Sequence, residues 1–254
     1  MKKDLDKYSG TAVIFLTAAV MFVATPLIFG IGDFATAAFV VAGIACTIMG
    51  SFVVMFSGNE PMDPRIVGLL PTQGCLNLCR ISSDAGITGT AYFLPPRFSG
   101  KPRIMQFNPV SSYHGGSVSS NGSFTDREPH GIVTIPTSSP LMEYLRKRNA
   151  VVIPETVEEL GILFNEAISD VFEFATRVST TSTDGRVTVT FHNYHFIEGC
   201  IIAHSESPEC CLRYPCPSCS LCGTMLVECT NKVVSLESCR VTSTKDITAV
   251  FSIS

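Results

Sequence analysis

Two long stretches without a charged residue lie near the start of the chain. Residues 11–31 read TAVIFLTAAVMFVATPLIFGI, and residues 34–56 read FATAAFVVAGIACTIMGSFVVMF. Each is long enough to cross a hydrocarbon core of about 30 Å, which takes about 20 helical residues. Because only Gly32 and Asp33 separate them, the second helix must return antiparallel to the first. We therefore predict a two-helix transmembrane hairpin over residues 11–56.

The positive charges beside these stretches predict the orientation of the hairpin. Three lysines precede the first stretch, whereas the turn between the two stretches carries only Asp33. Cytoplasmic flanks of membrane spans collect Lys and Arg. The sequence therefore predicts a multi-pass protein of the cell membrane, in which residues 1–10 and a domain formed by residues 57–254 both face the cytoplasm.

A secretory signal peptide is the alternative to this hairpin. A basic start followed by an apolar run is typical of such peptides. The first apolar run is longer than the hydrophobic region of a signal peptide, and no small-x-small cleavage site separates it from the second run. The pattern favours the hairpin, with the lipid bilayer as a partner.

Composition and motifs exclude several classes of function. The formal net charge is −4 and the chain has no long basic run, whereas nucleic-acid-binding proteins cluster Lys and Arg on one face. We predict no nucleic-acid partner. The sequence also lacks a phosphate-cradling GxxxxGK[S/T] loop, a GxSxG nucleophile and an HExxH zinc motif. We therefore predict no catalytic residues, although an active site without a short motif is compatible with the sequence.

Residues 57–254 combine strand and helix patterns. Residues 88–94 and 103–107 have the composition of one pair of strands, and residues 232–242 and 247–252 that of another. Antiparallel strands with helices packed against them define the α+β class. We therefore predict an α+β fold for this domain.

Local signals indicate several elements in more detail. Thr156 and Glu159 form a capping box, and apolar residues recur behind them every three or four positions, which predicts a core-facing helix. Asp184-Gly185 between two alternating runs is a strong hairpin signal. Residues 220–230 predict a later helix.

The segment 114–130 reads HGGSVSSNGSFTDREPH and is rich in Gly and Ser. Such a segment buries too little apolar surface to offset the entropy that it loses on ordering. We therefore predict a mobile loop over residues 114–130.

A short cysteine-rich segment raises the question of chemistry. Residues 209–223, ECCLRYPCPSCSLCG, hold five of the eleven cysteines. Thiols stay reduced in the cytoplasm, so we expect no disulfide framework. One hypothesis is a metal site, because sets of thiolates bind zinc or an iron–sulfur cluster. The candidate ligands, within the segment 210–222, are Cys210, Cys211, Cys216, Cys219 and Cys222.

Two other interpretations of these cysteines stay open. Pro217 lies where the following helix is expected to begin, so Cys216 and Cys219 lie near the positive end of a helix dipole, which favours a reactive thiolate. Alternatively, Cys222 and Cys229 continue a helical spacing from Cys219, which indicates packing, because reduced cysteine behaves as a small hydrophobic residue.

Four short segments carry a resemblance to known proteins. They are Tyr92-Phe-Leu-Pro-Pro96, Ile153-Pro154, Cys216-Pro217-x-Cys219 and Glu237-Ser-Cys239. In these segments the chain resembles an uncharacterised group of archaeal membrane proteins with two N-terminal spans and a cytoplasmic Cys-containing domain. The order of the last elements is also distantly similar to the end of the 4-vinyl reductase domain, a small regulatory module, and that likeness implies binding of a small ligand.

The sequence as a whole predicts a membrane-anchored protein without enzymatic activity. Its cytoplasmic domain is expected to bind a small-molecule ligand or another protein in a sensory or regulatory role. The alternatives are a membrane-tethered redox protein with a Cys-ligated zinc ion or iron–sulfur cluster, and a structural subunit of a membrane complex.

Overall fold

The computed structural model describes residues 2–30, 32–57, 63–149 and 151–254. Contacts between residues divide the chain into two compact units, Met1–Met62 and Asp63–Ser254. Met1, Ile31 at the end of the first predicted span, and residues 58–62 at the start of the predicted domain lie outside the described residues.

The first unit is a pair of helices, α1 (Lys2–Phe29) and α2 (Asp33–Ser57). Within them, Gly10–Phe29 and Phe34–Met55 are long and apolar enough to cross a membrane. The two helices approach closely at glycines of α2. A Cβ atom on Gly43 would lie 2.9 Å from Cγ2 of Val23, and one on Gly50 would lie 3.1 Å from Cγ of Leu16. Small residues at a helix crossing let backbones approach in this way.

The second unit is built on one antiparallel sheet with the strand order β3-β2-β1-β6-β7-β5-β4. Neighbouring strands pair antiparallel throughout, and helices pack against the sheet, so the α+β prediction is confirmed. The strands are β1 (Tyr92–Leu94), β2 (Met105–Pro109), β3 (Gly131–Thr134), β4 (Arg177–Thr183), β5 (Arg186–His192), β6 (Val234–Val241) and β7 (Ile247–Ile253).

Helices of the second unit pack against the sheet and contribute most residues of the candidate site described below. A π-helical segment, Glu166–Val171, continues α7 directly. The helices are α3 (Pro64–Leu69), α4 (Thr72–Asp84), α5 (Pro96–Ser99), α6 (Ser139–Asn149), α7 (Val157–Asn165), α8 (Ile197–Glu206), α9 (Cys210–Arg213) and α10 (Pro217–Thr230).

The capping box and the hairpin were predicted correctly. The Thr156 side chain accepts a hydrogen bond from the backbone N–H of Glu159, as the N-cap of α7. Asp184 and Gly185 both adopt positive φ angles, 49° and 76°, which is the backbone that a two-residue turn between β4 and β5 needs.

The main core lies between the sheet and α7 and α10. The predicted apolar stripe consists of Val157, Leu160, Phe164, Ile168 and Val171. The middle three are fully buried there, and the first and last are partly buried against the same core. The stripe continues past α7 because the π-helical segment keeps the chain helical beyond Asn165. Phe93 of β1 is also fully buried, against α10.

Two features differ from the sequence expectations. Strand β1 is shorter than predicted: the N–H groups of Thr88 and Gly89 bond to the carbonyls of Val110 and Pro109 at the end of β2, and the N–H of Ala91 bonds to Leu212 instead of a strand. Helices α8 and α9 were not predicted. Helix α8 contains a glycine, which disfavours a helix, and three isoleucines, which favour strands. Residues 114–130 form no helix or strand apart from a bridge at Phe124, yet Val118 is buried. The mobility of this loop stays a prediction.

Candidate functional site

A pocket with a volume of about 240 Å³ lies within the second unit. Helices α3, α4 and α8 form one side of it, and α9 with the start of α10 forms another. Aromatic and other apolar side chains and thiols make up most of its wall. The aromatic residues are Phe174, Tyr194, Phe196 and Tyr214, and the cysteines are Cys75, Cys200, Cys210, Cys211 and Cys216.

The aromatic side of the pocket is held by contacts between rings. The ring of Phe174 meets that of Phe196 edge-on with centroids 5.0 Å apart, and Tyr194 meets Phe196 at 5.7 Å. The hydroxyl of Tyr194 shares a hydrogen bond of 2.9 Å with Ser218 Oγ. Because this hydroxyl already has a partner inside the protein, the aromatic wall presents mainly apolar surface.

Two glycines bring α3 and α8 into backbone contact at the pocket. A Cβ atom on Gly199 would lie 2.4 Å from the carbonyl oxygen of Gly68, and one on Gly68 would lie 3.0 Å from Cα of Phe196. Both glycines line the pocket. The width of the pocket on this side is therefore set by main-chain atoms.

Five thiols form a connected row beside the pocket, which we call the thiol row. Contacts between thiols link its members in the order Cys200, Cys216, Cys219, Cys239 and Cys211. The sulfur atoms of Cys219 and Cys239 lie 3.8 Å apart. Cys200 comes from α8, Cys211 from α9, Cys219 from α10 and Cys239 from β6, so four elements bring the row together.

The pKa values of the thiols alternate along the thiol row. The neighbouring thiols of Cys200 and Cys219 hold the pKa of Cys216 well below the usual value of a thiol. The neighbouring thiols of Cys211 and Cys219 lower the pKa of Cys239 to about 5. The pKa values of Cys200, Cys211 and Cys219 are raised by their contacts with these two sulfurs and by burial.

The local sequence contributes to the low pKa of Cys216. It occupies the N-cap position of α10, and Pro217 follows as the first helical residue, where a missing N–H costs nothing. The backbone N–H of Cys219 does not reach the geometry of a full capping hydrogen bond, but it is one of the causes that lower the pKa of Cys216. The hydroxyl of Tyr194 lies 3.9 Å from its sulfur.

A second group of thiols lies between α4 and α9. Cys210 contacts Cys75 and Cys79, and these residues pack with Leu76 and Tyr214 in a small core of their own. The Cys75 thiol donates to the backbone carbonyl of Tyr214 over 3.6 Å. The hydrogen bond from Cys210 lowers the pKa of Cys75.

Comparison with known proteins assigns the family. Residues 2–199 match the family model described as a domain of unknown function, DUF7982. The chain belongs to this family. No curated protein and no solved structure matches it. The DUF7982 match includes both apolar helices and ends before Cys200, so it carries no information about the thiol row.

The structure divides the five cysteines that the sequence singled out. Cys211, Cys216 and Cys219 belong to the thiol row, whereas Cys210 belongs to the second group. Cys222 is fully buried in the main core, and burial raises its pKa. Among the residues that the structure describes, no group of three or more His, Cys, Asp and Glu side chains is arranged to hold a metal ion. The metal hypothesis for this DUF7982 protein therefore stays a prediction.

Sequence reasoning missed several residues of the site. Cys200 and Cys239 complete the thiol row, and Tyr194 and Phe196 line the pocket. Cys200 lies in the helix that was not predicted. Cys239 lies in a predicted strand, and the segment Glu237-Ser-Cys239 carried a resemblance but no sign of a contact with the other thiols. The one available signal was Cys216-Pro-x-Cys219 at a helix start, which did indicate the two cysteines at the centre of the row.

Proposed function

We propose that the second unit binds a small, mainly apolar molecule in the pocket and acts as a sensory or regulatory domain. We further propose that α1 and α2 span a membrane and leave this domain on the cytoplasmic side. The observation that carries the first proposal is the pocket itself, with its wall of aromatic rings, aliphatic side chains and thiols.

The size and chemistry of the pocket limit the ligand. An apolar cavity of about 150 Å³ holds benzene, so a pocket of about 240 Å³ suits a molecule of about ten to fifteen non-hydrogen atoms. No Lys, Arg, Asp, Glu or His is among the described residues that line it. An anionic ligand would therefore lose its hydration without gaining a counter-ion, and an apolar molecule gains by leaving water.

The position of α3 supports a role in reporting at the membrane. Helix α3 contributes Val67 and Gly68 to the pocket wall and begins at Pro64, a few residues after the end of α2 at Ser57. A ligand that moves α3 would therefore act on the part of the chain that follows the second apolar helix. The distant likeness to the 4-vinyl reductase domain also favours a ligand-binding role.

Binding can be measured with indole as the probe. The chain has no tryptophan, so indole emission can be observed without interference from tryptophan. Ala203 is buried on α8 and lines the pocket, and Ala203→Phe should fill it. Ile201→Phe is the matched control, because Ile201 lies on the same helix but is exposed and outside this pocket.

We expect the unchanged chain and Ile201→Phe to bind indole with similar affinity, and Ala203→Phe to bind at least about tenfold more weakly because the space is filled. All three proteins are compared in the same detergent, so partition of indole into micelles is common to them. Equal binding by Ala203→Phe, with an unchanged circular dichroism spectrum, would show that the pocket is not the binding site.

The membrane proposal has its own test. A reporter enzyme that is active only in the cytoplasm, fused after Ser254, should be active, and a reporter that requires export should be inactive. The opposite pattern would place residues 63–254 outside the cytoplasm and would require the cysteines to be considered as disulfide partners.

The thiol row supports a second candidate, a membrane-tethered redox protein with a Cys-ligated metal. Reduced thiols favour soft metals and iron–sulfur clusters. A site would use Cys211, Cys216 and Cys219 from the predicted set, with Cys200 and Cys239 in place of Cys210 and Cys222. Metal analysis and a visible spectrum after anaerobic purification test it: stoichiometric zinc or iron supports this candidate, and a colourless protein without either metal removes it.

A further inference from the structure

We propose that Cys216 and Cys219 act as a dithiol that exchanges with the disulfide bond of a small, uncharged disulfide bound in the pocket. This inference rests on the proposed function of the pocket as a site for apolar molecules. It adds a chemical step and a class of substrate, which binding alone would not require.

The two sulfurs occupy complementary positions. Cys216 lines the pocket and keeps part of its surface accessible, whereas Cys219 is buried behind it in the first turn of α10. A bound molecule therefore meets Cys216 first. The two residues stand three positions apart across a helix start, a spacing at which a disulfide can close.

The surroundings of Cys216 stabilise negative charge on its sulfur. Cys216 is the N-cap residue of α10, so its sulfur lies at the positive end of the helix dipole, which favours a thiolate. The Tyr194 hydroxyl, from the loop before α8, lies 3.9 Å from the same sulfur. The charged sulfur is the form of cysteine that attacks a disulfide.

The exchange is balanced without a further reactant. The Cys216 sulfur attacks one sulfur of a disulfide R–S–S–R, the S–S bond breaks, a mixed disulfide forms on Cys216, and RS⁻ leaves. The departing RS⁻ takes the proton of Cys219. The Cys219 sulfur then attacks the Cys216 sulfur of the mixed disulfide. The Cys216–Cys219 disulfide forms, and the second RS⁻ leaves. The protein dithiol loses two electrons, and the bound disulfide gains them.

The wall of the pocket selects uncharged disulfides. Val67, Leu141 and Phe174 lie in that wall, and the absence of Lys, Arg and His among its described residues disfavours a disulfide that carries carboxylates. We therefore expect an aromatic disulfide to react faster than glutathione disulfide, whose charged groups would have to be desolvated.

The probe for the test is 2,2′-dithiodipyridine, a small aromatic disulfide that releases a coloured thione at each exchange. With the reduced full-length chain in detergent, we expect a fast phase that releases two thiones per chain. Peptide mapping after that phase should find a Cys216–Cys219 disulfide. Glutathione disulfide at the same concentration should react at least about tenfold more slowly.

Three variants assign the steps. Cys216→Ser should remove the fast phase, and Cys219→Ser should release one thione and keep the probe attached to Cys216. Cys229→Ser is the matched control on the same helix and should react like the unchanged chain, because Cys229 lies at the far end of α10, away from the pocket.

The proposal is overturned if the probe first attaches to a cysteine other than Cys216, or if the protein disulfide formed in the fast phase lacks Cys219. It is also overturned if glutathione disulfide reacts as fast as the aromatic probe. Bound metal that blocks the fast phase until it is removed would also overturn it. Indole binding is measured on the unchanged chain and on Cys216→Ser, so that binding and exchange are distinguished. An unchanged chain that binds indole but shows no exchange leaves the pocket proposal standing and removes the dithiol proposal.

Discussion

The first turn and the body of α10 use the same residue type for different purposes. At the first turn, Cys216 and Cys219 contact other thiols, and Cys216 borders the pocket. In the body, Cys222 is fully buried in the main core. Cys219 follows Cys216 by three residues, and Cys222 follows Cys219 by the same interval. Since the spacing is equal, the difference between these cysteines comes from the neighbours that the fold places around each of them.

The body of α10 is closely packed against strand β1. A Cβ atom on Gly223 would lie 2.4 Å from Cε2 of Phe93, which is fully buried. One turn earlier, Ser220 donates a hydrogen bond of 3.0 Å to Ser138 Oγ and so ties α10 to the start of α6. Substitutions in the body should therefore act on stability, and substitutions at the first turn should act on chemistry.

Gly223→Ala should have the largest effect on stability. The new methyl group meets a ring that cannot move freely, and the cost of overpacking exceeds the gain in helix propensity, for a net loss of about 2 kcal/mol. Denaturant unfolding of the full chain measures it. In the same experiment Gly74→Ala, where a Cβ atom meets nothing within 4 Å in α4, should stabilise by up to about 1 kcal/mol.

A double variant tests the reason for that loss. Phe93→Leu removes ring atoms that the Gly223→Ala methyl group meets. The two changes together should therefore cost less than the sum of their separate costs. Additive costs would show that the contact with Phe93 is not the cause.

Cys222→Ser should have the next largest effect. A hydroxyl group placed in the main core without a designed partner costs about 1–2 kcal/mol, while Cys229→Ser, at a half-buried position, should cost less than about 0.5 kcal/mol. Thermal unfolding of both variants compares them. Equal losses would mean that Cys222 is not held by packing as the structure indicates.

Cys216→Ser should cost less stability than Cys222→Ser, below about 1 kcal/mol, because serine can keep part of the hydrogen bonding at the N-cap. The same variant should lose the fast exchange with the aromatic disulfide. A large loss of stability in Cys216→Ser would break the contrast between the two regions, because the first turn would then be structural as well.

The sequence allowed prediction of the elements whose signals are local. The capping box at Thr156, the turn at Asp184-Gly185 and the start of α10 near Pro217 each depend on a few adjacent residues, and the structure confirms them. The two apolar helices were predictable for the same reason, since length and composition are properties of a single segment.

The grouping of the thiols was not predictable, because it depends on tertiary contacts. Cys210 and Cys211 are adjacent in α9, yet they join different groups of thiols. Neighbouring residues on a helix point about 100° apart, so adjacency in sequence separates their side chains. Cys239 reaches the thiol row from β6 and Cys200 from α8, and neither position has a local pattern that indicates the contact.

The contact between Gly68 and Gly199 limits how ligand preference can change by substitution. Any larger residue at either position pushes backbone against backbone, so mutation there can distort the pocket but cannot widen it. Variants that accept bulkier molecules must instead arise where the wall consists of side chains, as at Leu141 and Phe174. A selection for such variants should therefore return changes at those two positions and leave both glycines untouched.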